Sequence, residues 1–197
     1  MFQNDLTRRG FIATTAAFAA SPAFALNAST AEKLVDQAVG AINKIIATEK
    51  SETVMLREFD KVFGRYADVN IIALTTLGAA RRSASKAQVN AYVRAFRSYF
   101  TRKYGKRFNE FVGGEIIVNG AKPVKSYIEV SSTAKLRGVA PFAVDWQISD
   151  KSGKPLIFNI IIEGVNTLTS ERVEIGAMLE KRGGNLDRLI DDLKRAG

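Results

Sequence analysis

From Glu115 onward the apolar residues of this chain recur at every second position; before it, and again after Thr169, they recur at every third and fourth. That change of period constrains the fold more than any other feature. Helices gathered on either side of a block of strands leave no alternating strand–helix units. The fold class is therefore α+β with an antiparallel sheet, not a parallel α/β sheet. A length of 197 residues suits one such domain.

The first helical stretch carries Ala31, Leu34, Val35, Ala38, Val39, Ile42, Ile45 and Ile46 on one face. Ser29-Thr30-Ala31-Glu32 reads as its capping box, so a helix is expected over residues 30–48. Further helices are expected over Glu52–Tyr66 and over Asp68–Leu77, the second stopped by Gly78. Ser85-Lys86-Ala87-Gln88 is a second capping box, and the helix behind it aligns Val89, Tyr92, Val93, Phe96, Phe100 and Tyr104. Gly105 and its charged neighbours interrupt that stripe, so a break is expected there, with Phe108 and Phe111 in any continuation.

Glu115–Val118 is expected as the first strand, with Asn119-Gly120 as a hairpin turn. Val124 to Val130 and Phe142 to Ile148 alternate as the next two strands, and Asp150-Lys151-Ser152-Gly153 reads as a turn. Leu156 to Ile162 is apolar on both faces except at Asn159, which predicts a central strand covered on both sides. Thr169–Arg182 and a last helix capped by Asn185 close the chain, the latter with Leu186, Leu189, Ile190 and Leu193 inward. The expected architecture is a single domain over residues 26–197: a curved four-stranded antiparallel sheet wrapped by helices.

Residues 1–25 read as an export signal. Arg8-Arg9 precedes a short apolar run from Phe11 to Ala20, followed by Ser21-Pro22 and the small-residue pattern Ala23-Phe24-Ala25. The run is about half of the ~20 residues that a membrane-spanning helix needs. The arginine pair before Gly10-Phe11-Ile12 is of twin-arginine type, but Ala13 stands where that motif often has lysine, so general secretion also fits. The expected location is the periplasm, as a soluble protein after cleavage.

The chain has neither Cys nor His, which removes disulfides, thiol chemistry, His general bases and the usual zinc sites. Lys and Arg total 29 against 20 Asp and Glu, a net charge of +9 that favours an anionic partner. Arg81, Arg82, Arg94, Arg97, Arg102, Lys103, Lys106 and Arg107 are interleaved with Tyr92, Phe96, Tyr99 and Phe100, as in single-strand nucleic-acid binders. Here the aromatics keep helical spacing and an export signal precedes them, so no nucleic-acid partner is expected. Asp145 and Glu163 sit near strand centres and are the candidate bases of an enzymatic reading. No nucleophile–base pair, glycine-rich phosphate loop or spaced carboxylate cluster accompanies them, so neither catalysis nor a cofactor nor a metal is expected. A third reading is an adaptor with a filled core that binds an acidic partner through Arg81 and Arg82.

The Val89–Tyr104 stripe, the Phe142–Ile148 face and the Leu156–Ile162 strand could fill a core or line a cavity; both use the same residues.

Phe158-Asn159-Ile160-Ile161-Ile162-Glu163-Gly164-Val165, then Arg172, then Gly183-Gly184-Asn185-Leu186-Asp187-Arg188-Leu189-Ile190, form an ordered set. Together with Phe59-Asp60, Leu77-Gly78, the Val93–Tyr104 aromatic helix and Trp146, this set resembles the MlaC family, also called the toluene-tolerance auxiliary family, over nearly all of residues 29–195. The resemblance implies a cone similar to nuclear-transport-factor folds, enclosing an apolar pocket. It implies a monomeric, non-enzymatic periplasmic carrier of glycerophospholipid, with an outer-membrane lipoprotein–porin complex and an inner-membrane ABC transporter complex as partners. Lipid is then cargo rather than cofactor, and the residues implied for its chains are Val93, Phe96, Phe100, Phe142, Val144, Trp146, Phe158, Ile160, Ile162 and Val165. Asn159 stands where the family often has Asp, and Ile175 near where it has an aromatic, so no polar contact is carried over at those two positions.

Overall fold

Asn27, not Ser29, opens the first helix. Its side-chain oxygen accepts from the Thr30 backbone N–H at 2.9 Å, and α1 runs over Ala28–Ile46. The computed structural model describes residues 26–47, 51–106 and 114–197. The proposed signal at residues 1–25 and the continuation through Phe108 and Phe111 lie outside them. Helix α2 spans Glu52–Tyr66. Asp68 caps α3, Val69–Leu77, which ends at Gly78 in the left-handed region (φ 62°) and passes into a 3-10 turn over Gly78–Arg82. The Ser85–Gln88 box closes in both directions, at 3.2 and 3.0 Å, and starts α4, Lys86–Gly105.

The sheet has five strands, all antiparallel, in the order β1-β2-β3-β4-β5: Glu115–Val124, Tyr127–Lys135, Phe142–Ser149, Leu156–Ile162 and Val165–Asn166. This corrects the expected four. The added strand is short and follows Glu163-Gly164, whose φ values of 49° and 79° make the left-handed pair of a tight two-residue turn. It also pairs with the outer side of β4, which would otherwise be the edge strand, so that β4 has a neighbour on either side. α3 and α5 pack against β4, while α1 lies over β1 and β2.

The hairpin turn is not at Asn119-Gly120 either. β1 runs straight through that pair with a bulge between Val118 and Gly120, and the chain reverses at Lys125-Ser126. Asn119 donates across the strands to the Thr133 hydroxyl at 2.9 Å. A bulge and a two-residue turn both favour Asn-Gly, so the dipeptide alone does not separate them.

α5 covers Thr167–Lys181, and its N-cap Asn166 is the last residue of β5. α6 covers Leu186–Arg195, capped by Asn185 as expected, with Leu186, Leu189, Ile190 and Leu193 buried.

The core divides in two. One cluster lies among the helices and contains Phe59, Phe63, Ile72, Tyr92, Phe96, Tyr99, Ile175, Leu189 and Leu193. The other lies between α1 and the sheet and contains Ala31, Val35, Ala38, Tyr66, Val130, Val144, Trp146, Ile148 and Ile157. Cross-strand register aligns Val130, Trp146 and Ile160 on the face turned toward α1. Trp146 is 5% exposed, so the register expected for β3 holds.

Candidate functional site

A cavity of about 110 Å³ opens along the seam between the two clusters. Ala38 and Ile42 reach it from α1; Phe59, Val62, Phe63 and Tyr66 from α2; Phe100 from α4; and Trp146, Ile157, Phe158 and Ile160 from the sheet. Its wall is almost wholly apolar. A seam is where a void costs least, because each cluster is close-packed on its own side and only their mutual contacts are lost.

Local bonding sets this geometry. Trp146 Nε1 donates to Ser132 Oγ at 2.9 Å, and Ser132 in turn donates to the Val144 carbonyl at 2.7 Å, which orients the indole. Phe158 is the unpaired residue of a bulge opposite Gln147/Ile148, and its ring meets Tyr127 edge-on at 5.6 Å. Asn159 ties the start of α5 to the sheet: its Oδ1 accepts from the Leu168 backbone N–H at 3.1 Å, and its Nδ2 donates to Gln147 at 3.0 Å. Phe63 stacks on Phe100 at 4.5 Å with the rings nearly parallel.

Of the ten residues proposed from sequence for a lipid site, Phe100, Trp146, Phe158 and Ile160 border the cavity. The other six do not. Phe96 and Val144 are buried inside the helical and the α1–sheet clusters respectively. Phe142 packs at the margin of the α1–sheet cluster. Ile162 and Val165 flank the β4–β5 turn and are 38% and 58% exposed. Val93 lines a separate polar groove of about 400 Å³ with Arg94, Arg97, Asp68 and Lys154. Asp145 and Glu163 do not border the cavity, and Glu163 stands exposed in the turn.

Sequence reasoning missed the contribution of α1 and α2 and, above all, Glu171. Glu171 is 1% exposed and stands in the wall of the cavity. Its Oε1 accepts from Lys103 Nζ and from the Tyr104 hydroxyl, both at 2.6 Å. Lys103 also donates to Glu174 Oε2 at 2.6 Å, and the Tyr99 hydroxyl donates to Glu174 Oε1 at 2.6 Å. Burial, reinforced by the neighbouring carboxylates, pushes the Tyr99 and Tyr104 hydroxyls well above the usual phenol range. Burial works against the Lys103 ammonium, but its bonds to Glu171 and Glu174 outweigh that and raise its pKa. Burial likewise opposes ionisation of Glu174, yet Lys103 and Tyr99 hold it below the usual carboxylate value. Glu171 Oε2 is buried and has no hydrogen-bond partner. Leaving such an acceptor unmade costs about 1–3 kcal/mol, and more for a charged group. The signal available in the sequence was a glutamate in a helix of mixed polarity, which does not distinguish a buried carboxylate from a solvated one.

The family model described as MlaC protein matches residues 32–195. The chain belongs to the MlaC family. Its fold is similar to that of a phospholipid-binding protein from Ralstonia solanacearum, whose structure was solved in complex with a phospholipid. The TM-score is 0.73 at 18% identity, covering 84% of this chain and 95% of that one. The match to the MlaC model spans α1 through α6, and so takes in both core clusters and the seam between them. No helix among the described residues is long and apolar enough to cross a membrane.

Proposed function

We propose that this chain is a non-enzymatic carrier of glycerophospholipid, exported by the signal at residues 1–25 and working as a monomer in the periplasm. In this reading it exchanges lipid with an inner-membrane ABC transporter complex and an outer-membrane lipoprotein–porin complex, and so serves outer-membrane lipid asymmetry. The observation that carries the reading is the apolar cavity on the seam between the two clusters of an MlaC-family chain. The similar fold of a protein solved with a phospholipid supports it. A cavity at the seam is also at odds with an adaptor whose core is filled throughout.

The cavity, at about 110 Å³, is smaller than the ~300–1,000 Å³ of ordinary ligand pockets. Uptake of acyl chains therefore requires the seam to widen, with α1 and the sheet moving away from α2 and α4 as the curved sheet closes a cone around the chains. Widening along the seam parts the two cores and also draws on the residues that bridge them, Tyr66 of α2 in the α1–sheet cluster and Ile45 of α1 in the helical one. Each buried methylene is worth ~0.8 kcal/mol, so two long chains represent a gross gain on the order of 20 kcal/mol against water. Against a membrane the balance is near zero, which lets docking to a partner tip it. The basic surface suits an anionic headgroup left near solvent, where its phosphate is not buried unpaired.

Native mass spectrometry of the purified mature chain tests the reading. Phospholipid bound without addition is the expected result; a folded, lipid-free protein that takes up none from vesicles overturns it.

A further inference from the structure

Glu171 carries, among the described residues, the one buried side-chain oxygen that has no hydrogen-bond partner, and it stands in the cavity wall. Asn159 and Thr167 also border the cavity, and both are engaged: Asn159 by Leu168 and Gln147, Thr167 by the Ile160 carbonyl at 2.8 Å. Glu171 uses only Oε1, shared between Lys103 and Tyr104. Its Oε2 is buried and unpartnered, and Glu171 lines an otherwise largely apolar space.

We propose that Glu171 Oε2 is a specificity element of the cavity: it accepts a hydrogen bond from a donor group carried by the cargo, a hydroxyl or a primary ammonium, and selects for lipids that bear one. The inference rests on the carrier reading and names which lipids that carrier prefers. The charge balance sets the sign of the selection. Glu171 and Glu174 share the single ammonium of Lys103, which leaves the cluster one negative charge in excess. Such a site attracts donors and repels a phosphate or a second carboxylate, so the anionic end of the cargo is directed away from Glu171. With the remaining walls apolar, the donor that fits best is a hydroxyl on an acyl chain. The oxygens of an ordinary ester-linked chain are acceptors only and leave Oε2 unsatisfied.

The test uses two matched lipid pairs and the mature chain. In one pair the phosphatidylcholine carries a hydroxystearoyl or a stearoyl chain; in the other, dioleoyl chains carry ethanolamine, which donates, or choline, which does not. Affinities are measured by competition in native mass spectrometry. Wild type is expected to favour the donor-bearing member of one pair by about tenfold, and the pair that discriminates identifies the source of the donor. In Glu171→Gln the amide oxygen still serves Lys103 and Tyr104 and the amide N–H₂ replaces Oε2, so the preference is expected to vanish or reverse. Glu171→Met, which removes both oxygens, is expected to abolish it. Melting curves establish that the variants are folded, and the wild-type comparison stands without them. Equal binding within both pairs by wild type, or unchanged ratios in a folded variant, overturns the subsite and leaves the carrier reading intact. Folded wild type that binds none of the four lipids removes the carrier reading and the subsite with it.

Discussion

Arg97 on α4 grips Asp60 on α2 through both carboxylate oxygens, Nε to Oδ1 at 2.7 Å and Nη2 to Oδ2 at 2.8 Å. Nη2 also reaches the Asp60 carbonyl at 2.8 Å, and Thr101 donates to Oδ1 at 3.3 Å. The guanidinium lies so close to α2 that a Cβ on Gly64 would come within 2.5 Å of Nη2. The clamp sets α2 against α4 and brings Phe63 onto Phe100 in the cavity wall.

Gly64→Ala is expected to push Arg97 off Asp60. Because the pair is more than one-third exposed, its loss is expected to cost about 1 kcal/mol rather than the several of a buried pair. Asp60→Ala should cost a similar amount, and the double variant should fall well short of additivity in urea titrations. Additive losses would mean that Gly64 acts on something other than this clamp.

Ser132→Ala leaves the buried Trp146 N–H without its acceptor. The expected destabilisation is about 1–3 kcal/mol, measured by chemical denaturation. A loss below about 0.5 kcal/mol would contradict the role assigned to the bond.

Trp146 is the sole tryptophan, and it borders the cavity. Phospholipid with brominated acyl chains is therefore expected to quench the intrinsic fluorescence of the loaded protein, whereas bromide in solution should quench it weakly. Bound brominated lipid with undiminished emission would place the chains elsewhere.

Ile160 and Val144 lie on neighbouring positions of one sheet face, but only Ile160 borders the cavity. Val144→Asp buries a charge inside a packed cluster and is expected to unfold the chain at ambient temperature. Ile160→Asp puts its charge into the cavity, so lipid occupancy should collapse while a cooperative melt remains. Equal behaviour of the two variants would erase the distinction between cavity and core.

The Lys103–tyrosine cluster predicts alkaline sensitivity. Lys103, Tyr99 and Tyr104 all have pKa values raised by folding. Their contribution is complete below their ordinary values of 10.5 and 10.0 and is lost as pH climbs through and beyond them. Glu174, whose pKa is lowered, acts at the opposite end: its contribution is present above the ordinary carboxylate value and lost as pH falls below it. Stability measured from pH 8 upward is therefore expected to decline from about pH 10, less steeply in Tyr99→Phe and Tyr104→Phe. A flat profile through pH 11 in wild type would contradict this account.

Read alone, the sequence determined the class of the fold, five of the six helices nearly to the residue, and the caps at Ser85 and Asn185. Those features arise from side chains acting on their own backbone or from a period repeated over several turns, so they are written locally. It also determined that Trp146 faces inward, because alternation over eight residues leaves one register. Tertiary structure alone decided three other things. It assigned Asn119-Gly120 to a bulge and the turn to Lys125-Ser126, since the position of a reversal depends on what the partner strand pairs with. It separated Phe100, Trp146 and Ile160 in a cavity from Phe96 and Val144 in a core, although all five are apolar residues on regular stripes. And it buried Glu171, which became a wall residue only when α4 and α5 packed together and supplied Lys103 and Tyr104 for one of its two oxygens. Hydrophobic pattern records which side chains leave water; where two packed surfaces fail to meet is a property of their shapes, and no single segment carries it.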